Sequence, residues 1–382
     1  MIAERPLQNF SWSPEGIVID WQGGTRAEYP SLWLRDNCPA DRDAQNGQRL
    51  IDVADLPLAP QISTVTQDGA RLQVTWCGES RTASFDLDWL ARNAPGAAHT
   101  LATAPRLWLD GAKLDARRDF AWGTPAALRA DPRARCSWLR ELVSTGMAFL
   151  EQVPSTNHAM LGALDFVGRV IDTNYGVVFD VRSVPQPENL AYSDLGLGLH
   201  TDNPYREPVP GFQALHCLAA APEGGDSLFA DGFAIAEHLR ATRPDLFEVL
   251  TSTLVPFRYR AQNAALYAER PLIELDAGGR VIAINYNNRS IAPLNLAPTI
   301  LKTFYDAYRA FALELRETRY SMRTRLEEGV LVVFDNRRTL HGRTAYASSK
   351  HVRHLQGCYL TRDSVLSELA VLERASTPGR AE

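Results

Sequence analysis

The sequence predicts a mainly β protein with flanking helices, in which a small amino-terminal β domain precedes a double-stranded β-helix, or jelly roll. A chain of 382 residues exceeds the size at which one hydrophobic core stops growing, so two domains are expected. The first part contains short β-branched and aromatic runs that are broken by turn residues. The second part carries two widely separated histidine motifs, which a sheet folded back on itself would bring together.

Residues 1–95 form the predicted small β domain. Period-two patterns and turn residues indicate three strands and two hairpin connections, at Gly16–Trp21, Arg71–Trp76, Arg81–Phe85, Gln22–Gly24 and Gln67–Ala70. Residues 96–130 are rich in Ala and Pro and are expected to be a linker. Residues 131–382 then form the larger domain.

The larger domain alternates helical and strand patterns. Apolar spacing predicts helices at Ser137–Val143, Leu161–Ile171, Ile235–Leu250 and Ile300–Leu315. Strands are expected at Met147–Val153, Tyr175–Phe179, Phe212–Leu218 and Val330–Asn336. We expect His216 to be a core residue, and the last of these strands to lead into His341.

His200 and Asp202 are the first candidates for chemistry. Two residues apart on an extended segment, they point to the same side. His341, from a later strand, would supply a second imidazole. Two imidazoles and one carboxylate on one face of a metal form the facial triad of non-haem iron(II) oxygenases, which leaves coordination positions open.

Arg353 strengthens this interpretation, because H-x-D alone recurs by chance. It follows His341 at a distance that suits the next strand of a rolled sheet. A guanidinium offers a planar, bidentate fork to a carboxylate, so Arg353 is predicted to hold a dicarboxylate co-substrate beside the metal.

Composition excludes several classes of function. An apolar fraction of 45%, a charged fraction of 22% and a net charge of −5 are those of an ordinary globular protein with no electrostatic footprint for nucleic acid or anionic membranes. The start lacks the apolar region of a signal peptide, and no apolar run is long enough to span a bilayer. Five scattered cysteines do not form a disulfide framework. A cytoplasmic protein is expected.

Several motifs together resemble the γ-butyrobetaine hydroxylase branch of the taurine dioxygenase-like superfamily. They lie at His200–Pro204, Pro210–Leu218, Gly224–Ser227, His341–Arg343 and Arg353–Leu355, with Leu32–Pro39 near the amino terminus. The resemblance implies Fe(II) held by His200, Asp202 and His341, and 2-oxoglutarate held by Arg353. Ser227 stands where the superfamily often has a hydroxyl residue that helps to hold this co-substrate, although a serine in a turn would also explain it. Hydroxylation of a C–H bond with release of succinate and CO2, ascorbate as reductant and a homodimer are further implications.

The family usually carries a structural zinc site in its amino-terminal domain, with three cysteines and a distant histidine. Cys38 matches the first cysteine, but Ala40, Asp43 and Ser80 occupy the other positions, and Cys77 adds only one thiol. Because structural zinc needs four good ligands, we predict that zinc is absent and that packing alone holds this domain.

The resemblance also points to a small trimethylammonium zwitterion as substrate. Tyr175, Tyr192 and Tyr359 match aromatic cage positions of γ-butyrobetaine hydroxylase, whereas Phe179 and Asn203 replace a tryptophan and a tyrosine of the animal enzyme. Quaternary ammonium groups are held by such aromatic faces.

The anionic end of the substrate would meet three further residues. Asn189 and Asn287 stand at family positions that bind the substrate carboxylate, and Arg289 adds a cation. γ-Butyrobetaine and its phosphonate analogue 2-(trimethylammonio)ethylphosphonate both fit this set. The alternatives are another oxygenase of the superfamily, acting on trimethyllysine or a sulfonate, and a non-catalytic jelly roll that binds a small molecule.

Overall fold

A computed structural model describes residues 6–96, 103–182, 195–346 and 353–376. The chain divides into two compact units, residues 1–99 and residues 100–380. No helix within the described ranges is long and apolar enough to cross a membrane.

The smaller unit contains two antiparallel three-stranded sheets and two short helices. Its first sheet consists of β1 (Leu7–Ser13), β2 (Gly16–Trp21) and β3 (Thr25–Pro30), and its second of β4 (Ile62–Asp68), β5 (Arg71–Trp76) and β6 (Thr82–Asp86). The helices are α1 (Ser31–Asp36) and α2 (Leu87–Arg92). The inward-facing side chains of both sheets share one core, which includes Trp21, Trp76 and the thiol of Cys38. The predicted strands and hairpins of this unit are therefore confirmed.

A cluster of charged side chains lies beside Cys38. The buried guanidinium of Arg35 binds both Asp41 and Glu79, the latter at 2.7 Å, and Arg81 pairs with the same two carboxylates. Asp43, by contrast, caps its own turn, where its carboxylate accepts the backbone N–H groups of Gln45 and Asn46. The sequence predicts that packing alone holds this unit together. The charge cluster shows that this prediction is incomplete.

Stability of the smaller unit should depend on this charge cluster and not on zinc. Asp41→Ala leaves Arg35 buried with one partner fewer, which should lower the free energy of unfolding by about 3–5 kcal/mol. Chemical denaturation followed by tryptophan fluorescence measures the loss. Asp20→Ala, which removes a surface pair with Arg26, is the control and should cost no more than about 1 kcal/mol. A tightly bound zinc in metal analysis, or a lower midpoint of unfolding in EDTA, would contradict the prediction.

The larger unit contains two sheets that carry the site. The strands of the major sheet are β7 (Ala121–Gly123), β8 (Met147–Leu150), β9 (Val170–Ile171), β10 (Phe179–Arg182), β12 (Phe212–Ala219), β19 (Leu331–Asp335) and β21 (His354–Leu360). Their order is β10-β21-β12-β19-β8-β7, and β9 also pairs with β21. The minor sheet has the order β11-β20-β13-β18, with β11 (Leu197–His200), β13 (Ser227–Asp231), β18 (Ser321–Thr324) and β20 (Thr339–Arg343).

The two sheets face each other across a shared core. Phe229 of the minor sheet contacts Phe334 of the major sheet, with ring centroids 5.5 Å apart. Buried residues of both sheets belong to the same cluster. This is the sandwich of a double-stranded β-helix, as the sequence predicts.

Helices and two hairpins surround the sandwich. The outer face of the major sheet is covered by α5 (Pro132–Thr145), α6 (Ala159–Leu164) and α10 (Arg362–Ala375). A second core combines the minor sheet with α7 (Gly232–Thr242), α8 (Pro244–Ser252), α9 (Pro298–Glu314) and the hairpins β14–β15 (Val255–Ala261, Ala264–Arg270) and β16–β17 (Ile273–Leu275, Val281–Ile284). Two short helices, α3 (Ala116–Asp119) and α4 (Pro125–Ala130), precede α5.

The segment predicted as a linker is structured over most of its described length. Trp108 and Phe120 are buried in the core between the sheets, and the backbone N–H of Trp108 donates to Asp231 at 3.0 Å. β7 pairs in parallel with β8 at the edge of the major sheet. The second unit therefore begins near residue 100 and not at 131, because aromatic residues within the Ala- and Pro-rich segment pack into its core.

Three predicted elements have different bounds. The expected helix over Ile235–Leu250 is two helices, since Pro244 cannot continue α7 and starts α8. The expected helix over Leu161–Ile171 ends at Leu164, and Gly168 beyond it lies against α10 so closely that a Cβ would meet Val365 at 2.7 Å. The expected strand Tyr175–Phe179 is mostly a turn, in which Gly176 adopts φ +86°.

Candidate active site

Antiparallel pairing within the minor sheet brings the two histidines together. β11 and β20 are neighbours, and His200 lies directly opposite His341 in their register. Their ring centroids are 4.3 Å apart. Because cross-strand partners are the closest side chains of a sheet, this register makes two residues distant in sequence adjacent in space.

Asp202 lies just beyond the end of β11 and is fixed through its backbone. Its N–H donates to Oδ1 of the fully buried Asn336 at 2.7 Å, and Asn336 Nδ2 donates back to the carbonyl of Asp202 at 3.0 Å. The carboxylate then lies between the histidines. Its Oδ1 is 3.2 Å from His200 Nε2, and its Oδ2 is 3.7 Å from His341 Nε2.

The protonation of these groups suits a divalent cation. His200 Nδ1 lies 2.9 Å from the carbonyl of Gly198, which orients the ring so that Nε2 is the nitrogen on the side of Asp202. Burial, assisted by the neighbouring His200, lowers the pKa of His341 to about 3, so its imidazole is neutral near pH 7. Burial disfavours the charged form of Asp202, but the histidines and a hydroxyl outweigh it and hold the pKa of this carboxyl well below its ordinary value. One ligand atom from each residue lies within 4.8 Å of the others, so the three residues could hold Fe(II).

The triad lines a cavity of about 410 Å³, and Arg353 lies in its wall. The Arg353 guanidinium is buried 5.7 Å from the ring centroid of Tyr346, and no carboxylate among the described residues forms an ion pair with it. Burial, with the neighbouring charge of Arg343, lowers the pKa of Arg353 to about 10, so it stays protonated at neutral pH. Gly225, at φ +69°, allows this side chain to pass, because a Cβ there would meet Arg353 Cδ at 2.9 Å.

Ser227 lies in the same wall of the cavity. It is buried on β13, opposite Arg343 of β20. Arg343 follows His341 by two residues on the same strand and therefore projects to the same face. A buried hydroxyl and two guanidinium groups can together bind a carboxylate here.

The predicted aromatic residues that the structure describes also line the cavity. Phe179 lies between Tyr175 and Tyr359, with ring centroids 6.2 Å and 5.0 Å away. Arg206 lies with its guanidinium carbon 5.6 Å from the Tyr175 centroid, so this ring already interacts with one cation. Tyr192, the other predicted cage residue, lies outside the described residues.

Three polar predictions can be placed, and one cannot. Asn203 is buried beside Asp202 at φ +57°, where its Oδ1 accepts the hydroxyl of Tyr205 at 2.6 Å. Asn287 donates from Nδ2 to the carbonyl of Thr201 at 3.0 Å, and Arg289 lies in the cavity wall close to Asp202. Asn189 lies outside the described residues.

Comparison with known proteins assigns the family. The family described as "Taurine catabolism dioxygenase TauD, TfdA family" matches residues 111–359, and "Gamma-butyrobetaine hydroxylase-like, N-terminal" matches residues 11–91. The chain belongs to the TauD/TfdA dioxygenase family. It is an Fe(II)/2-oxoglutarate-dependent dioxygenase of the γ-butyrobetaine hydroxylase-like branch.

Full-length relatives are similar over nearly the whole chain. A γ-butyrobetaine dioxygenase of Pseudomonas sp. (strain AK-1) is 36% identical over 97% of each chain. The human γ-butyrobetaine dioxygenase is 29% identical over 94% of each chain. A mitochondrial trimethyllysine dioxygenase of the mouse is 28% identical and aligns with 95% of this chain and 87% of its own.

The structure adds residues to this TauD/TfdA dioxygenase site that the sequence did not indicate. Tyr205 and Tyr259 stack at 5.2 Å, and Tyr259 also contacts Tyr175 at 5.6 Å. The hydroxyl groups of Tyr175 and Tyr205 are 2.9 Å apart. Tyr205 follows the H-x-D motif closely enough to be a candidate from sequence, whereas Tyr259 comes from the β14–β15 hairpin, which no motif links to the metal.

Arginines dominate the charge of the cavity wall. Asp202 is the one acidic residue among the described residues that line it, whereas five arginines do so: Arg258, Arg260, Arg289, Arg343 and Arg353. A TauD/TfdA dioxygenase must hold the dianion 2-oxoglutarate. Arg343 lies on the same strand as His341 and opposite Ser227, and the side chain of Arg353 passes Gly225, two residues before Ser227. Arg258 and Arg289 come from adjacent backbone segments of the wall, since the backbone N–H of Arg258 donates to the carbonyl of Ser290.

Proposed function

We propose that this enzyme hydroxylates a C–H bond in a small trimethylammonium zwitterion, with His200, Asp202 and His341 as the iron ligands. One observation carries the proposal. The His–Asp–His cluster opens into a single cavity whose wall also contains a group of aromatic rings and the buried Arg353, which forms no ion pair with any carboxylate of the described residues. The cavity volume of about 410 Å³ suits small ligands.

Arg353 would bind the distal carboxylate of 2-oxoglutarate through its planar fork, and the Ser227 hydroxyl would donate to the same group. When bound, Fe(II) and 2-oxoglutarate supply the electrons that convert O2 into an oxidant able to attack an unactivated C–H bond. The buried side chains of Phe229 and Leu355 line the cavity and would limit the access of bulk water to a metal held there. The protein thus contributes orientation and a partly dry, cationic cavity.

Aromatic faces would hold the trimethylammonium group, which cannot donate a hydrogen bond. Phe179 and Tyr359 line the cavity beside Asp202, and Tyr175, Tyr205 and Tyr259 form the neighbouring aromatic cluster. Asn203 has no aromatic ring to contribute to such a cage. Tyr205, two residues later, bonds to Asn203 through its hydroxyl and would supply a ring in its place.

The anionic end of the substrate would meet Asn287 and Arg289. One N–H of the Asn287 side-chain amide donates to the carbonyl of Thr201. The other N–H can donate a hydrogen bond to the anionic group of the substrate. γ-Butyrobetaine is one candidate, because relatives named γ-butyrobetaine dioxygenases match nearly the whole chain. The phosphonate analogue is the second candidate, because Arg258 and Arg289 offer more positive charge than a single carboxylate needs.

Succinate release with Fe(II), ascorbate and 2-oxoglutarate should distinguish the two substrates. Arg289→Met is expected to raise KM for the phosphonate by about 10- to 100-fold, since a hydrogen bond to a charged group contributes roughly 1.5–3 kcal/mol. The effect on γ-butyrobetaine should be smaller. Arg280→Met, which removes a surface arginine paired with Asp276, is the matched control and should change neither KM. Turnover of neither compound would contradict the proposed substrate class but not the oxygenase chemistry.

A further inference from the structure

Tyr359 belongs both to the aromatic wall of the cavity and to the surroundings of Asp202. Its ring lies against Phe179, with centroids 5.0 Å apart. Its hydroxyl donates to Asp202 Oδ2 at 2.9 Å. The sequence assigns Tyr359 to substrate binding alone, but these two contacts connect the substrate wall with the carboxylate of the triad.

The fold leaves the Tyr359 side chain little freedom. Tyr359 is buried on β21, with Gln213 of β12 opposite it on one side and Ile171 of β9 on the other. Phe179 reaches the ring by crossing over Gly357, where a Cβ would meet Phe179 Cε2 at 2.4 Å. A ring confined in this way presents its hydroxyl to Asp202 without losing further rotamer freedom.

The hydroxyl contributes a contact that the backbone cannot. Asn336 fixes the main chain of Asp202, but χ1 and χ2 of an aspartate remain free to rotate under backbone clamps alone. The Tyr359 hydroxyl donates a hydrogen bond to that carboxylate and occupies a lone pair of Oδ2. Oδ1, 3.2 Å from His200 Nε2, is then the oxygen directed to a metal.

We propose that Tyr359 is a positioning residue that orients Asp202 as a ligand through Oδ1 and thereby sets the affinity of the site for its metal. Partners that orient a ligand are typically worth 10- to 100-fold in metal affinity. The inference rests on the proposed role of Asp202 as a ligand, but it does not depend on which zwitterion is the substrate.

The test is a titration of apo enzyme with Mn(II) alone, followed by the electron paramagnetic resonance signal of the free ion. Tyr359→Phe removes the hydroxyl and keeps the ring, and should raise the dissociation constant for Mn(II) by about 10- to 100-fold. Tyr205→Phe is the matched control. It removes a tyrosine hydroxyl from the same cavity, but one that bonds Asn203 and Tyr175, so its Mn(II) affinity should equal that of the wild type.

Each outcome has a separate meaning. Equal affinity of Tyr359→Phe and wild type, or an equal loss in both variants, would overturn the positioning role. Failure of the wild type to bind Mn(II) would instead overturn the proposed triad. If Tyr359→Phe does not fold, the infrared difference spectrum of Mn(II)-loaded minus apo wild type replaces it. A monodentate carboxylate is expected there, and bidentate splitting would refute the proposal.

Discussion

His341→Ala is expected to reduce succinate formation to below detection, with or without a prime substrate. The variant keeps one imidazole and one carboxylate, which are too few ligands to form a facial triad. The lost side chain is buried opposite His200 and packs on Phe334, at 4.9 Å between ring centroids, so no other described side chain can replace it without repacking. Single-turnover assays with excess Fe(II) measure the effect.

His238→Ala is the control for His341→Ala. His238 lies on α7 beside Glu314, and it does not line the cavity. Full activity of His238→Ala together with inactive but folded His341→Ala would support the assignment. Turnover of His341→Ala at the wild-type rate would remove His341 from the set of metal ligands.

The clustering of His200, Asp202 and His341 could be predicted from the sequence because its evidence is local or generic. Period two on an extended segment places His200 and Asp202 on one side, and a rolled sheet is a common way to return a third ligand. The sequence could not show that His341 lies directly opposite His200 across two neighbouring strands. That register depends on the pairing of β11 with β20, which no pattern in either strand fixes. Asn336 was assigned to a strand, and its clamp on Asp202 is visible only in three dimensions.

The remaining errors arise where tertiary packing overrides local pattern. The apolar spacing from Ile235 continues through Pro244, yet proline fixes the helix boundary. The Ala- and Pro-rich residues before 131 look like a linker, yet Trp108 and Phe120 supply enough apolar surface to join the core. Tyr259 could not be predicted as a cavity residue either. It comes from the β14–β15 hairpin, which lies between β13 and β18 in the chain, and only tertiary packing brings its ring against Tyr205.

The surroundings of Arg353 are those of a functional arginine and not of a structural one, because its buried charge has no compensating ion pair among the described residues. Its guanidinium is in the cavity wall with a lowered pKa, close to the like charge of Arg343, and with no ion pair among the described residues. A buried charge without a partner destabilises a fold. Arginines kept for structure show the opposite arrangement, as Arg338 does, whose guanidinium binds both carboxylate oxygens of the buried Asp231.

Arg353→Met should therefore impair co-substrate binding without impairing the fold. Loss of one partner of a buried charge pair costs about 2–5 kcal/mol, so KM for 2-oxoglutarate should rise by roughly 30-fold to several thousandfold, with a far smaller change for the prime substrate. The melting temperature should stay equal or increase, because an uncompensated charge leaves the interior. Arg353→Lys keeps the charge but loses the planar fork, and should fall between wild type and Arg353→Met. Arg260→Met, at an exposed position of the cavity wall, is the control. A lower melting temperature with an unchanged KM for 2-oxoglutarate would make Arg353 a structural residue and leave the co-substrate without its proposed anchor.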